Sequence, residues 1–109
     1  MPSDTNRRVA EACGFSVEEQ YRDFLMITVD GKMLFNFDPE HDERHAVLAA
    51  EKFGLFMNRR NCHMTGLLLP GGGVGWAVWE GGEMISSGTF KEAVCGAILA
   101  LDDKGHEAL

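Results

Sequence analysis

No apolar run in the chain approaches the roughly 20 residues that a membrane helix needs, which excludes a helical span. Cysteine is scarce: Cys13, Cys62 and Cys95 are too few and too scattered for a disulfide framework, which argues against a small stapled secreted domain. Met1-Pro2-Ser3-Asp4 lacks a basic stretch followed by an apolar core, so no signal peptide is expected, and reduced thiols fit a cytoplasmic setting. Basic residues are outnumbered, 10 against 17 acidic, for a net charge of −7. That balance disfavours direct contact with nucleic-acid phosphates and suits either solubility or a basic protein partner.

Catalytic signatures are missing too. Leu69-Pro70-Gly71-Gly72-Gly73-Val74-Gly75 is glycine-rich but has neither the lysine nor the Ser/Thr of a phosphate loop, and a strand follows it rather than a helix. Cys62 and His63 are adjacent, but neighbours on an extended chain point to opposite faces, which disfavours a thiol–imidazole dyad. Arg59-Arg60 is weak as a nucleic-acid patch in an acidic chain. These features argue against an enzyme and imply no cofactor.

What is present is a well-punctuated architecture in 109 residues, enough for one domain with one core. Met64 to Leu69 reads as a strand and Pro70 to Gly73 as a turn. Val74 to Glu80 is a strand rich in aromatic and β-branched residues, Gly81-Gly82 a hairpin turn, and Glu83 to Gly88 the return strand. Thr89 and Glu92 have the spacing of a capping box, and Phe90, Ala93, Val94, Ala97, Ile98 and Leu101 form the apolar stripe of a helix over Thr89–Asp103.

Upstream, a short helix is expected from Asp4 to Cys13, stopped by Gly14, and Phe15 to Arg22 reads as irregular or weakly helical. Phe24 to Val29 and Lys32 to Phe37 are strands joined by Asp30-Gly31. Asp38-Pro39-Glu40 starts a second principal helix, Asp38–Phe53, ended by Gly54, and Leu55-Phe56-Met57 is a further strand candidate. The expected fold is a single α+β domain over residues 1–109. It has a mainly antiparallel sheet built from hairpins, two principal helices and a short N-terminal one, with residues 1–3 and 104–109 frayed.

Three constellations carry functional hypotheses. His41 and His45, four apart on a predicted helix with Asp38 or Asp42 nearby, are a candidate metal pair that lacks a third ligand at fixed spacing. Trp76 and Trp79 lie on one strand and face opposite ways, so one belongs under the last helix while the other is covered separately or exposed. Trp79, with the carboxylates Asp42, Glu43, Glu80 and Glu83, is the candidate protein-binding set.

The helix over Asp38 to Phe53, then Gly75-Trp76-Ala77-Val78-Trp79, then Thr89-Phe90-Lys91-Glu92-Ala93-Val94-Cys95-Gly96-Ala97-Ile98-Leu99-Ala100-Leu101, resembles the small phage proteins called the phage ABA sandwich domain. Val9-Ala10-Glu11-Ala12-Cys13-Gly14 is similar to that family's opening helix. The resemblance implies a phage or prophage accessory protein with helices packed on a sheet, and it carries over no functional residue. By analogy with small acidic phage proteins, the expected function is binding and inhibition of a host protein, such as a bacterial defence complex blocked by an anti-CRISPR protein. That function is compatible with a monomer or a homodimer. The alternatives are a virion or assembly component acting as a homo-oligomer, and a metal-binding protein using His41 and His45.

Overall fold

The computed structural model describes residues 4–20, 25–55 and 62–107. The chain opens with α1 (Asp4–Ala12), then β1 (Ser16–Gln20), β2 (Leu25–Val29), β3 (Lys32–Leu34) and α2 (Glu43–Phe53). It closes with β4 (Cys62–Leu68), β5 (Val74–Glu80), β6 (Glu83–Gly88) and α3 (Phe90–Glu107). This is the expected α+β architecture. Its hairpins form two three-stranded antiparallel sheets, β1-β2-β3 and β4-β5-β6.

Local chemistry accounts for most of these elements. Asp30 and Gly31 have φ of 52° and 79°, and Gly81 and Gly82 have 59° and 89°. Positive φ at both central residues is the two-residue turn whose twist matches a hairpin. At the start of α3 the capping box closes in both directions: the Thr89 backbone N–H donates to Glu92 Oε1 at 3.0 Å, and the Glu92 N–H donates to Thr89 Oγ1 at 3.3 Å. The helix continues to Glu107, past the predicted end at Asp103.

Two upstream expectations change. Ser16–Gln20 is a strand, not a weak helix, because pairing with β2 overrides a faint capping pattern. The pairing bulges between Val17 and Glu19, and Glu18 in the bulge accepts a hydrogen bond from the Thr28 hydroxyl at 2.8 Å. The second helix begins at Glu43 instead of Asp38. Asp38 to His41 make a separate turn, and Asp42 is the true cap, accepting from the Arg44 N–H at 2.9 Å. β3 is also shorter than predicted. Asn36 turns left-handed at φ 57°, leaving Phe35 exposed and returning Phe37 to the core. Of the strand candidate Leu55-Phe56-Met57, Leu55 lies in the turn that ends α2, its N–H donating to the Ala50 carbonyl at 2.9 Å, while Phe56, Met57 and the pair Arg59-Arg60 lie outside the described residues.

The core is gathered around α3, which packs against α1, α2, β5 and β6, while α1 also covers β1 and β2. Ala93, Val94, Ala97, Ile98 and Leu101 of its stripe are buried, joined by Ala46, Ala49, Ala50 and Phe53 of α2 and by Leu25, Ile27 and Val78 of the sheets. The Cα envelope measures 37 × 37 × 21 Å. A thickness of 21 Å accommodates two layers of secondary structure, since packed layers stand about 10 Å apart. Each sheet therefore has a helix side and a side that no described element covers.

Candidate protein-binding face

The alternation of β5 divides its residues cleanly. Val78 enters the core beneath α3, and Trp76, on the same side, meets Phe90 edge-on with ring centroids 5.7 Å apart. Gly75, Ala77 and Trp79 point the other way. On β4, His63, Thr65 and Leu67 stand opposite Trp79, Ala77 and Gly75. On β6, Met84 stands opposite Trp79 and Ser87 opposite Ala77.

His63, Trp79 and Met84 thus form one row across three strands. The His63 ring stacks on Trp79 with centroids 6.3 Å apart and planes within 8°. The Trp79 indole Nε1 donates to Thr65 Oγ1 at 2.9 Å, which fixes the ring across the strand. Trp79 is half-buried, Met84 and His63 are exposed, and Ala77 is closed off completely beneath its neighbours. Between Val78 and Trp79 the β5–β6 register shifts, leaving Ile85 as the extra residue and re-aiming the end of the hairpin. Glu80 and Glu83 are the next pair, directly opposite each other beside the Gly81-Gly82 turn. Like charges in that position weaken a hairpin.

The five sequence-predicted binding residues fall in two places. Trp79, Glu80 and Glu83 lie together at the end of the β5–β6 hairpin, but the alternation of the strand turns Glu80, and Glu83 opposite it, to the other side from Trp79. Asp42 and Glu43 sit at the start of α2, which packs on α1 and α3 rather than on that hairpin. Asp42 is occupied by capping α2 and by the Arg44 guanidinium, at 3.1 and 3.3 Å. The Arg44 hydrogen bond is the main reason its carboxyl drops to a pKa of about 2. Glu43 is exposed.

The histidine pair is placed differently from its sequence reading. His41 lies before α2, so the two rings do not share a helix face. His41 Nδ1 faces the Asp38 carboxylate at 3.1 Å, while His45 Nδ1 accepts the Asp38 backbone N–H at 2.9 Å and its ring stacks on Phe37. Among the described residues no group of three His, Cys, Asp or Glu side chains is arranged to hold a metal ion. Cys62 is buried while His63 is exposed on the opposite side of β4. Burial pushes the Cys13 and Cys95 thiols up to about 12, far from a reactive thiolate.

Two features were not anticipated. The more exposed tryptophan is Trp76, at 38%. It sits beyond the start of α3 beside Leu68 and Val74, at 78% and 75% exposure, so the helix side of the second sheet also ends in an uncovered apolar tip. His63 could have been placed opposite Trp79 by counting back from the Pro70–Gly73 turn; no sequence signal reports the exposures. The chain matches no protein-family model, no curated protein and no solved structure.

Proposed function

We propose that the chain is a non-enzymatic binding protein, a phage or prophage accessory factor that occupies and inhibits a host protein with a basic surface. The class of target is a nucleic-acid-handling defence complex, the mode of an anti-CRISPR protein. One observation carries the reading: the outward face of the second sheet has no described element over it, yet presents a fixed tryptophan between His63 and Met84, with Glu80 and Glu83 on the next rung at the tip of the hairpin. A half-covered tryptophan between an imidazole and a thioether is the composition of an interface hot spot. The net charge of −7 supplies the long-range attraction to a basic channel, with Asp42 and Glu43 contributing field rather than contact. The resemblance to the phage ABA sandwich domain supports the origin.

The test is tagged co-purification from a bacterial lysate, followed by a purified assay of whatever complex is enriched. The expected result is a defence or nucleic-acid-handling complex whose activity falls when the protein is added. Trp79→Ala should weaken that binding by roughly 30-fold, the loss of about 2 kcal/mol typical of a hot spot. Glu83→Lys should weaken it mainly at low salt. A captured complex bound equally well by Trp79→Ala would overturn the assignment of this face.

A further inference from the structure

The outer face of the second sheet carries a single switchable charge. Strand alternation puts His63, Thr65 and Leu67 of β4 on it, with Gly75, Ala77 and Trp79 of β5 and Met84 and Ser87 of β6. Among the described residues of that face, His63 is the only side chain that titrates between pH 5 and 8. The acidic groups of the hairpin, Glu80 and Glu83, stand one rung on and turn to the other side. Among the described elements β5 alone packs against β4, and it brings no further charged group to this side. His41 and His45 lie ahead of α2 and on it, and α2 packs on α1 and α3.

We infer that His63 is a protonation gate on the Trp79 face. With His63 neutral the face admits a basic partner; with His63 protonated it sets a positive charge against the indole and releases that partner. This rests on the proposed function, since it is a regulation of the same face.

The geometry keeps the charge local. His63 is exposed and stands directly opposite Trp79, its ring stacked on the indole with centroids 6.3 Å apart and planes within 8°. A cation over an indole is attracted to it, so protonation does not undo the stack. The indole itself is anchored to Thr65 Oγ1 at 2.9 Å. The new charge therefore stays beside the side chain that the partner covers. A basic group closing on that spot meets a like charge where water is being excluded and screening is weakest. The sign follows. Above the range in which imidazoles protonate, the face is neutral and the net charge of −7, counted with neutral histidines, draws the partner in. Below it the face is positive, and binding falls. The fold is not at stake in this window, because the carboxyls of Asp42 and Glu92 are held below their ordinary values.

Fluorescence of the full chain reads the pair directly. Trp76→Phe leaves Trp79 as the only indole. A protonated imidazole quenches a stacked indole more strongly than a neutral one. Emission should fall in one reversible step between about pH 8 and pH 5.5, and His63→Gln in the same background should abolish the step. Binding is read with a deca-arginine peptide at low salt. Its dissociation constant should rise roughly tenfold over that range with the wild type, and much less with His63→Gln, whose side chain stays uncharged. The comparison cancels every other group that titrates. A step that survives His63→Gln, or peptide affinity that falls equally in the two proteins, would overturn the gate. Peptide affinity that needs Trp79 but ignores pH would overturn the gate alone and keep the binding face. A peptide that does not bind at pH 8, or that binds Trp79→Ala as tightly as the wild type, would overturn the face and the gate with it, even with the fluorescence step intact.

Discussion

The carbonyl oxygen of Gly88 stands 2.6 Å from the point that a β-carbon on Gly75 would occupy, and Leu69 crowds the same point from 2.7 Å. Strands β5 and β6 reach their spacing only because position 75 has no side chain. Gly75→Ala should therefore destabilise the fold by about 1–3 kcal/mol, since the obstacle is backbone and cannot swing aside. Gly66, on the neighbouring strand, has nothing within 4 Å of an added β-carbon. Gly66→Ala should stay within about 0.5 kcal/mol of the wild type. Urea unfolding of the pair decides it: equal midpoints would mean that the β5–β6 spacing relaxes freely.

Asn6 is the one buried polar side chain among the described residues, and it fastens α1 to the turn ahead of α2. Its Nδ2 donates to Asp38 Oδ1 at 2.8 Å, and its Oδ1 accepts from the Glu40 N–H at 3.3 Å. Asn6→Ala takes the acceptor from the Glu40 N–H and one donor from Asp38, and should cost about 1–3 kcal/mol. Asn6→Asp should be worse at neutral pH than in acid, because it sets a second carboxylate against Asp38. Thermal melts at pH 4 and pH 7 would show whether the order reverses.

The acid limb of stability has two identifiable sources. Asp42, held by Arg44, has its carboxyl lowered from 3.8 to about 2. Glu92 is lowered from 4.5, first by the Thr89 backbone N–H and then by the hydroxyl. Both groups bind a proton more readily in the unfolded chain, so their contributions are complete above the ordinary carboxylate range and fade as pH falls through it towards 2. Asp42→Asn with Glu92→Gln should flatten the dependence of the urea midpoint on pH below 4.5. An unaltered slope would place the acid sensitivity elsewhere. Thr89→Ala, which removes the other half of the box, should cost about 1 kcal/mol at neutral pH.

These sites also show how far a sequence reaches. The Thr89–Glu92 box, the Asp30-Gly31 and Gly81-Gly82 turns and the α3 stripe were legible because each is decided by neighbours within four positions. β1 was not, since its conformation comes from pairing with β2 and its own residues favour a helical start. The α2 boundary was misread because Asp38-Pro39-Glu40 and Asp42-Glu43 both have the chemistry of a helix start, and only packing selects between them. At the candidate site, the opposed faces of Trp76 and Trp79 followed from the two-residue period of a strand. Their exposures depend on where α3 begins and on which sheet face lacks cover, neither of which is local. The tie from Asn6 to Asp38 spans 32 residues and left no pattern at all.

Two thiols contribute to stability on the alkaline side. Cys13 and Cys95 are raised from 9.0 to about 12, chiefly by burial, and Cys13 also donates to the Ala49 carbonyl at 3.5 Å. A raised thiol stays neutral in the fold after it would ionise in the unfolded chain, so the stability it contributes is full below 9 and is lost as pH rises towards 12. The native protein at pH 8 should react with a thiol-specific reagent only at the rate of local opening, and all three cysteines should react at once in denaturant. A fast-reacting native thiol would reopen a nucleophilic role.

The strand Val74–Glu80 separates stability from recognition, one side for each. Ile98 packs on its helix side with Val78, and Ile98→Ala should cost about 2–5 kcal/mol of stability. In partner binding it should do little beyond lowering the folded fraction. Trp79 on the other side loses a stacking contact with His63 and one hydrogen bond when truncated, so Trp79→Ala should cost less stability than Ile98→Ala while weakening the partner far more. Salt adds a further readout: binding of a basic partner to the Trp79 face should weaken as ionic strength rises, and binding that holds or strengthens with salt would mean that charge does not bring the partner to this face.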